Sequence, residues 1–108
     1  MDDRWQLTPM MRIEVIVGGD DVTLVTDLFQ SVGASGFTAL AGVSGLGHSG
    51  FHEGRLLFND RSGLTLLIVV LASPHVDALL EGLRALFTQR PGVFMVAETH
   101  VSRPEYFA

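Results

Sequence analysis

Cysteine and lysine are both missing from this chain of 108 residues. Without cysteine there is no disulfide, no thiolate metal site and no thiol nucleophile, and nothing suggests secretion. Without lysine, neither a Walker-type phosphate loop nor Schiff-base chemistry can be built. All seven basic residues are arginines, from Arg4 to Arg103, so any bound anion must be held by arginine, histidine or backbone N–H groups. Charge of either sign is scarce: charged residues make up 18% of the chain, and the net charge is −5. No basic cluster occurs, which argues against nucleic acid as a partner, because phosphate-backbone affinity needs grouped cations. The longest apolar run, Leu64 to Ala72, is interrupted only by Thr65 and falls far short of the roughly 20 residues a bilayer span takes. The first ten residues open on the acids Asp2 and Asp3 and contain no apolar signal core. No targeting segment is read there, and the cytoplasm is the expected location.

What is present describes one globular domain. Apolar residues make up 47% of the chain, too many for disorder and enough to imply that part of the surface is covered by copies of the same chain. Residues 1–10 read as a lead-in, which the working protein can lack if translation starts at Met10 or Met11, and 11–108 as the domain. Ile13, Val15 and Val17 alternate towards Gly18-Gly19 and predict a strand. Asp20 or Asp21 can cap a helix carrying Val22, Val25, Leu28, Phe29 and Val32, with Gly33 as its stop. A second strand is expected over Phe37 to Val43, followed by a glycine-rich loop to about Gly63. Leu64 to Ala72 suits a strand buried on both faces. Ser73-Pro74 then opens a helix whose stripe is Val76, Leu79, Leu80, Leu83 and Phe87. Arg90-Pro91-Gly92 ends that helix before a fourth strand from Val93 to Ala97.

The order β-α-β-β-α-β is the ferredoxin-like arrangement: an α+β fold with a four-stranded antiparallel sheet and both helices on one face. Its other face is also largely apolar and is expected to be buried by self-association.

Within the loop, Gly45-x-Gly47-x-x-Gly50 has the spacing that holds a dinucleotide pyrophosphate. That fingerprint needs a helix directly after the glycines. Here Phe51-His52-Glu53-Gly54-Arg55 follows and leads to a strand, which excludes the dinucleotide reading. Glycines can still let backbone donors approach an anion without a helix.

Gly36-Phe37-Thr38 opening the second strand, Gly45-Leu46-Gly47 at its end, the long loop before Ile68-Val69-Val70, and Gly92 before the last strand resemble the PII signalling proteins. The glycine-rich loop is most similar to that of the carboxysome-associated PII-like group. The resemblance spans about residues 11–103. It implies a homotrimer binding adenine nucleotides in clefts between subunits, with a signalling T-loop at about 45–63 that orders on binding and presents a surface to a protein target. Carried over, Gly45, Leu46 and Gly47 offer N–H groups to phosphate, and Thr38, Val43 and Val69 lie near adenine or ribose. Arg90 and Gly92 come from a neighbour's turn, and Arg103 meets phosphate. His48 and Ser49 are candidates for a bicarbonate site. Val93 stands where the family usually has a basic residue, which favours ADP or AMP over ATP. No cofactor and no catalysis are expected: Ser44 or Ser49 with His48 or His52 would sit on a glycine loop, a poor mount for a nucleophile. The alternative reading is a trimeric divalent-metal-binding or metal-tolerance protein of the same strand order, using His48, Ser49, His52 and Glu53.

Overall fold

The computed structural model describes residues 3–47, 50–52 and 63–108, with the backbone alone for 45–47 and 50–52. Its elements are β1 (Thr8–Gly18), α1 (Val22–Ser31), β2 (Thr38–Val43), β3 (Gly45–Gly47), β4 (Gly50–His52), β5 (Leu64–Leu71), α2 (Val76–Phe87) and β6 (Val93–Val101). Short 3-10 turns precede β1 and each helix, and another, Pro104–Phe107, follows β6. Strands β2, β5, β1 and β6 lie side by side in that order, every neighbouring pair antiparallel. This is the expected ferredoxin-like sheet.

Side-chain alternation decides which residues meet the helices. Ile13, Val15 and Val17 of β1 and Leu67, Val69 and Leu71 of β5 point to one face and are fully buried. They pack against Val25 and Phe29 of α1 and Val76, Leu79 and Leu83 of α2. α1 ends as Gly33 suggested, with Gly33 N–H bonded to the Gln30 carbonyl and Ala34 N–H to the Phe29 carbonyl, both at 3.0 Å, which satisfies two orphan carbonyls of its last turn.

Three details depart from the expectations. β1 begins at Thr8, so Thr8 to Met10 belong to the sheet opposite Val101 to Thr99, and Met10 is buried. β6 runs on to Val101 because β1 supplies backbone partners that far; a strand at the sheet edge tolerates the polar stretch Glu98-Thr99-His100. β5 is apolar on both faces, yet only its helix-facing residues are fully buried; Leu66, Ile68 and Val70 on the open face are half-buried. The same open face carries Leu40, Val93 and Met95, each about half exposed at 48%, 52% and 46%.

Candidate functional site

The glycine-rich stretch starts on a bent strand. Ala41 pairs with Thr65, but Val43, two residues later, pairs with Leu64, its immediate neighbour. The extra residue is Gly42, with φ at +74°, a backbone state glycine adopts without strain. Such a bulge twists and redirects a strand, here just before Gly45. Gly45, Leu46 and Gly47 then pair with His52, Phe51 and Gly50 as a two-stranded ribbon, where an irregular loop was expected. Of the stretch read as the T-loop, 48–49 and 53–62 lie outside the described residues, and with them His48, Ser49 and Glu53. The returning chain is fixed at Gly63, whose carbonyl accepts the Gly19 N–H at 2.9 Å.

Val43 and this ribbon share one end of the sheet with the turn Arg90-Pro91-Gly92, since Val43 lies across β5 from Gly18 while Val93 pairs with Ile16. They sit on opposite edges, separated by three strand spacings of about 4.8 Å, roughly 14 Å in all. Arg90 does not project freely: its Nη1 donates to Asp21 Oδ1 at 2.7 Å. Asp21 occupies the N-cap position of α1, but its carboxylate makes no cap hydrogen bond; it takes the arginine instead. With the Asp21 side chain only 10% exposed and that of Arg90 50%, the pair braces the turn against the start of α1. Gly92 has a packing reason of its own. A Cβ there would meet Phe87 Cε1 at 2.4 Å, and the Phe87 ring stacks on Phe94 at 6.3 Å between centroids. Phe94 is therefore tied into the core. Val69 is likewise 1% exposed beneath the helices, so its side chain faces the core and only its backbone could line a cleft.

Arg103 stands at the other end. The nine-residue strand β6, about 26 Å long at a rise near 3.3 Å per residue, lies between it and Gly92. Its Nη1 donates to the Tyr106 hydroxyl at 3.2 Å, and its guanidinium lies 5.5 Å from that ring's centroid. The Tyr106 carbonyl in turn accepts the Ser35 hydroxyl at 2.8 Å, three residues before Thr38. Phe37 lies between them, its ring 5.8 Å from that of Phe29. Tertiary contact thus brings Arg103 to the entry of β2, although the two are 65 residues or more apart in sequence. Ser35, Tyr106 and Asp21 were not singled out as site residues. The i, i+3 spacing of Arg103 and Tyr106 was the one available signal; nothing local points to Ser35. Among the described residues, no group of three His, Asp or Glu side chains could hold a metal ion, and no helix is long and apolar enough to cross a membrane.

A family model for nitrogen regulatory protein P-II matches residues 10–106. Among solved structures, CPII, a nitrogen regulatory PII-like protein from Thiomonas intermedia bound to ADP, AMP and bicarbonate, is 35% identical with a TM-score of 0.83, covering 94% of this chain and 95% of its own. A PII-like signalling protein from Thermus thermophilus (16% identity, TM-score 0.74, covering 94% of this chain and 98% of its own) shares the fold. So does CutA1 from Oryza sativa (13%, TM-score 0.65, 94% and 89%). A search of curated proteins gave no sequence match. The match over nearly the whole chain, on a sheet with the expected order and a glycine ribbon at the root of β2, leaves one assignment: the chain belongs to the nitrogen regulatory protein P-II family, as a PII-like signalling protein.

Proposed function

We propose that this chain is a regulatory sensor rather than an enzyme, and that it binds an adenine nucleotide together with bicarbonate in clefts between the subunits of a homotrimer. One observation carries the reading: the candidate site residues fall into two groups at opposite ends of each chain. Val43, Gly45, Leu46, Gly47, Arg90 and Gly92 are at one end, with Thr38 a few residues in from it on the register of Ile68, Glu14 and Met95, and Arg103 follows the far end of β6. A single chain cannot close the length of β6, about 26 Å, around one nucleotide, whereas a neighbouring copy can set its Arg103 end against this ribbon end. The half-exposed apolar face of the sheet is the surface on which copies would meet. In this arrangement the Arg90 turn and the ribbon come from one copy and Arg103 from the next. That regroups the set implied by resemblance, in which the Arg90 turn belonged to the neighbour.

The chemistry fits a phosphate. Glycine N–H groups and an arginine supply donors where lysine is missing. Arg103 meets no carboxylate among the described residues, so it is the better phosphate ligand of the two arginines. Arg90, neutralised by Asp21, positions the turn. Val93 in place of a base favours ADP or AMP over ATP. CPII, bound to ADP, AMP and bicarbonate, lends the ligands; His48 and Ser49 are the bicarbonate candidates, and the resemblance of the glycine loop to that of the carboxysome-associated group is what suggests a role there. Signalling then requires that the nucleotide bind two arrangements of segment 45–63 with different affinity, so that occupancy shifts which surface a protein target meets. No specific observation favours the metal reading.

Calorimetric titration with ATP, ADP and AMP, with and without bicarbonate, tests this. Micromolar-range binding of ADP or AMP that bicarbonate modulates is expected. Absence of heat with any nucleotide would sink the proposal, and heat with copper or zinc alone would restore the metal alternative.

A further inference from the structure

We infer that Tyr106 and Ser35 are positioning residues for Arg103, forming a clasp that holds its guanidinium ready for phosphate. The inference rests on the nucleotide reading above and deepens it.

A free arginine side chain surrenders rotamer entropy when it binds an anion. Here much of that loss is already met in the folded chain. The Tyr106 hydroxyl accepts from Arg103 Nη1 at 3.2 Å, and the ring lies 5.5 Å from the guanidinium carbon, within range for a cation–π contact. Tyrosine suits the task because it fixes the guanidinium without neutralising it. Asp21 does the opposite to Arg90. The guanidinium has five N–H donors in a planar fork, and the hydroxyl engages one nitrogen, so the bidentate capacity that matches phosphate is kept.

The clasp also has an anchor. Tyr106 lies in the 3-10 turn Pro104–Phe107, whose Tyr106 N–H bonds to the Arg103 carbonyl at 3.0 Å. Its single tertiary hydrogen bond among the described residues is Ser35 Oγ to the Tyr106 carbonyl at 2.8 Å. Phosphate affinity is thereby linked to docking of this turn on the entry to β2. With the ring 62% exposed, the clasp is held by these few contacts and not by burial, so small changes should undo it.

The test uses the full chain and has a readout independent of ligand. Tyr106 is the only tyrosine, so selective ring labelling gives one NMR signal. Arg103→Gln should shift that signal in the free protein, and an unmoved signal refutes the clasp whatever the nucleotide does. For binding, Tyr106→Phe should weaken ADP about threefold, and Tyr106→Ala or Ser35→Ala about tenfold. The double variant Arg103→Ala/Tyr106→Ala should bind no worse than Arg103→Ala alone. Adenosine, which has no phosphate, should be insensitive to all of them. Additive losses, or equal losses for adenosine, would assign Tyr106 a structural role and overturn the inference. Wild-type protein that binds no nucleotide removes the nucleotide reading and the positioning role with it. An intact ring shift would then leave a structural clasp only.

Discussion

Replacing Gly92 with alanine separates the packing role seen in the structure, room for the Phe87 ring, from the proposed one, access for a phosphate. The new Cβ would lie 2.4 Å from Phe87 Cε1 and 2.8 Å from Cδ1 and Cζ. Carbon atoms settle at about 3.5–4.0 Å, so the ring must withdraw by about 1 Å. It cannot do so alone, because it stacks on Phe94 with planes inclined by 27° and both rings pack on the core. Overpacking of this kind costs about 1–3 kcal/mol. For a chain of this length that lowers the midpoint of thermal unfolding by about 4–8 °C per kcal/mol. The assay is a thermal melt of both proteins at equal chain concentration, since an oligomer's midpoint depends on concentration. Adding Phe87→Leu to Gly92→Ala should restore part of the loss by withdrawing the ring edge. A Gly92→Ala midpoint within about 2 °C of wild type, by the same scale, refutes the packing role.

Gly82, inside α2, gives the opposite balance. Alanine there gains about 1 kcal/mol of helix propensity but brings a Cβ to 2.9 Å from Leu28 Cδ2, a methyl that can swing away. Urea unfolding should show a net change within about 1 kcal/mol; a loss of twice that would mean the contact pins the two helices. Arg90→Ala leaves the nearly buried Asp21 carboxylate without its partner at 2.7 Å and should cost about 1–3 kcal/mol. Asp21→Asn added to it should recover part of that, and a neutral Arg90→Ala would show the brace to be idle. Ile68→Arg on the open sheet face should turn a trimer into monomers by light scattering. A trimer of unchanged mass would place the subunit contacts elsewhere.

The fold was largely legible because its signals are local. Val25 and Phe29, and Val76, Leu79 and Leu83, recur at helical spacing and are the residues buried against the sheet. The period-2 run Ile13, Val15, Val17 named the covered face of β1. Where reading stopped short, the missing information lay in another strand. The polar residues Glu98 to His100 join β6 only because Met11 to Pro9 stand opposite them. The bulge at Gly42 shows itself only once β5 supplies a register to slip against.

The candidate site was less legible for the same reason. Glycine content by itself marked Gly45 to Gly47 as a stretch able to turn backbone donors outward, and the absence of lysine limited the cationic phosphate ligands to arginine and histidine. Which arginine is available is not a local property. Arg90 and Arg103 look alike in sequence, yet one is drawn to a carboxylate 69 residues away while the other rests on a tyrosine three residues on. Composition, periodicity and glycine placement thus determined the elements, the covered sheet face and the kinds of group available to an anion. Only the tertiary structure decided the pairing of charges, the packing demand at Gly92, the burial of Val69 and the separation of Arg103 from the Arg90 turn. Those depend on distances between segments that are remote in sequence, and no local pattern encodes them.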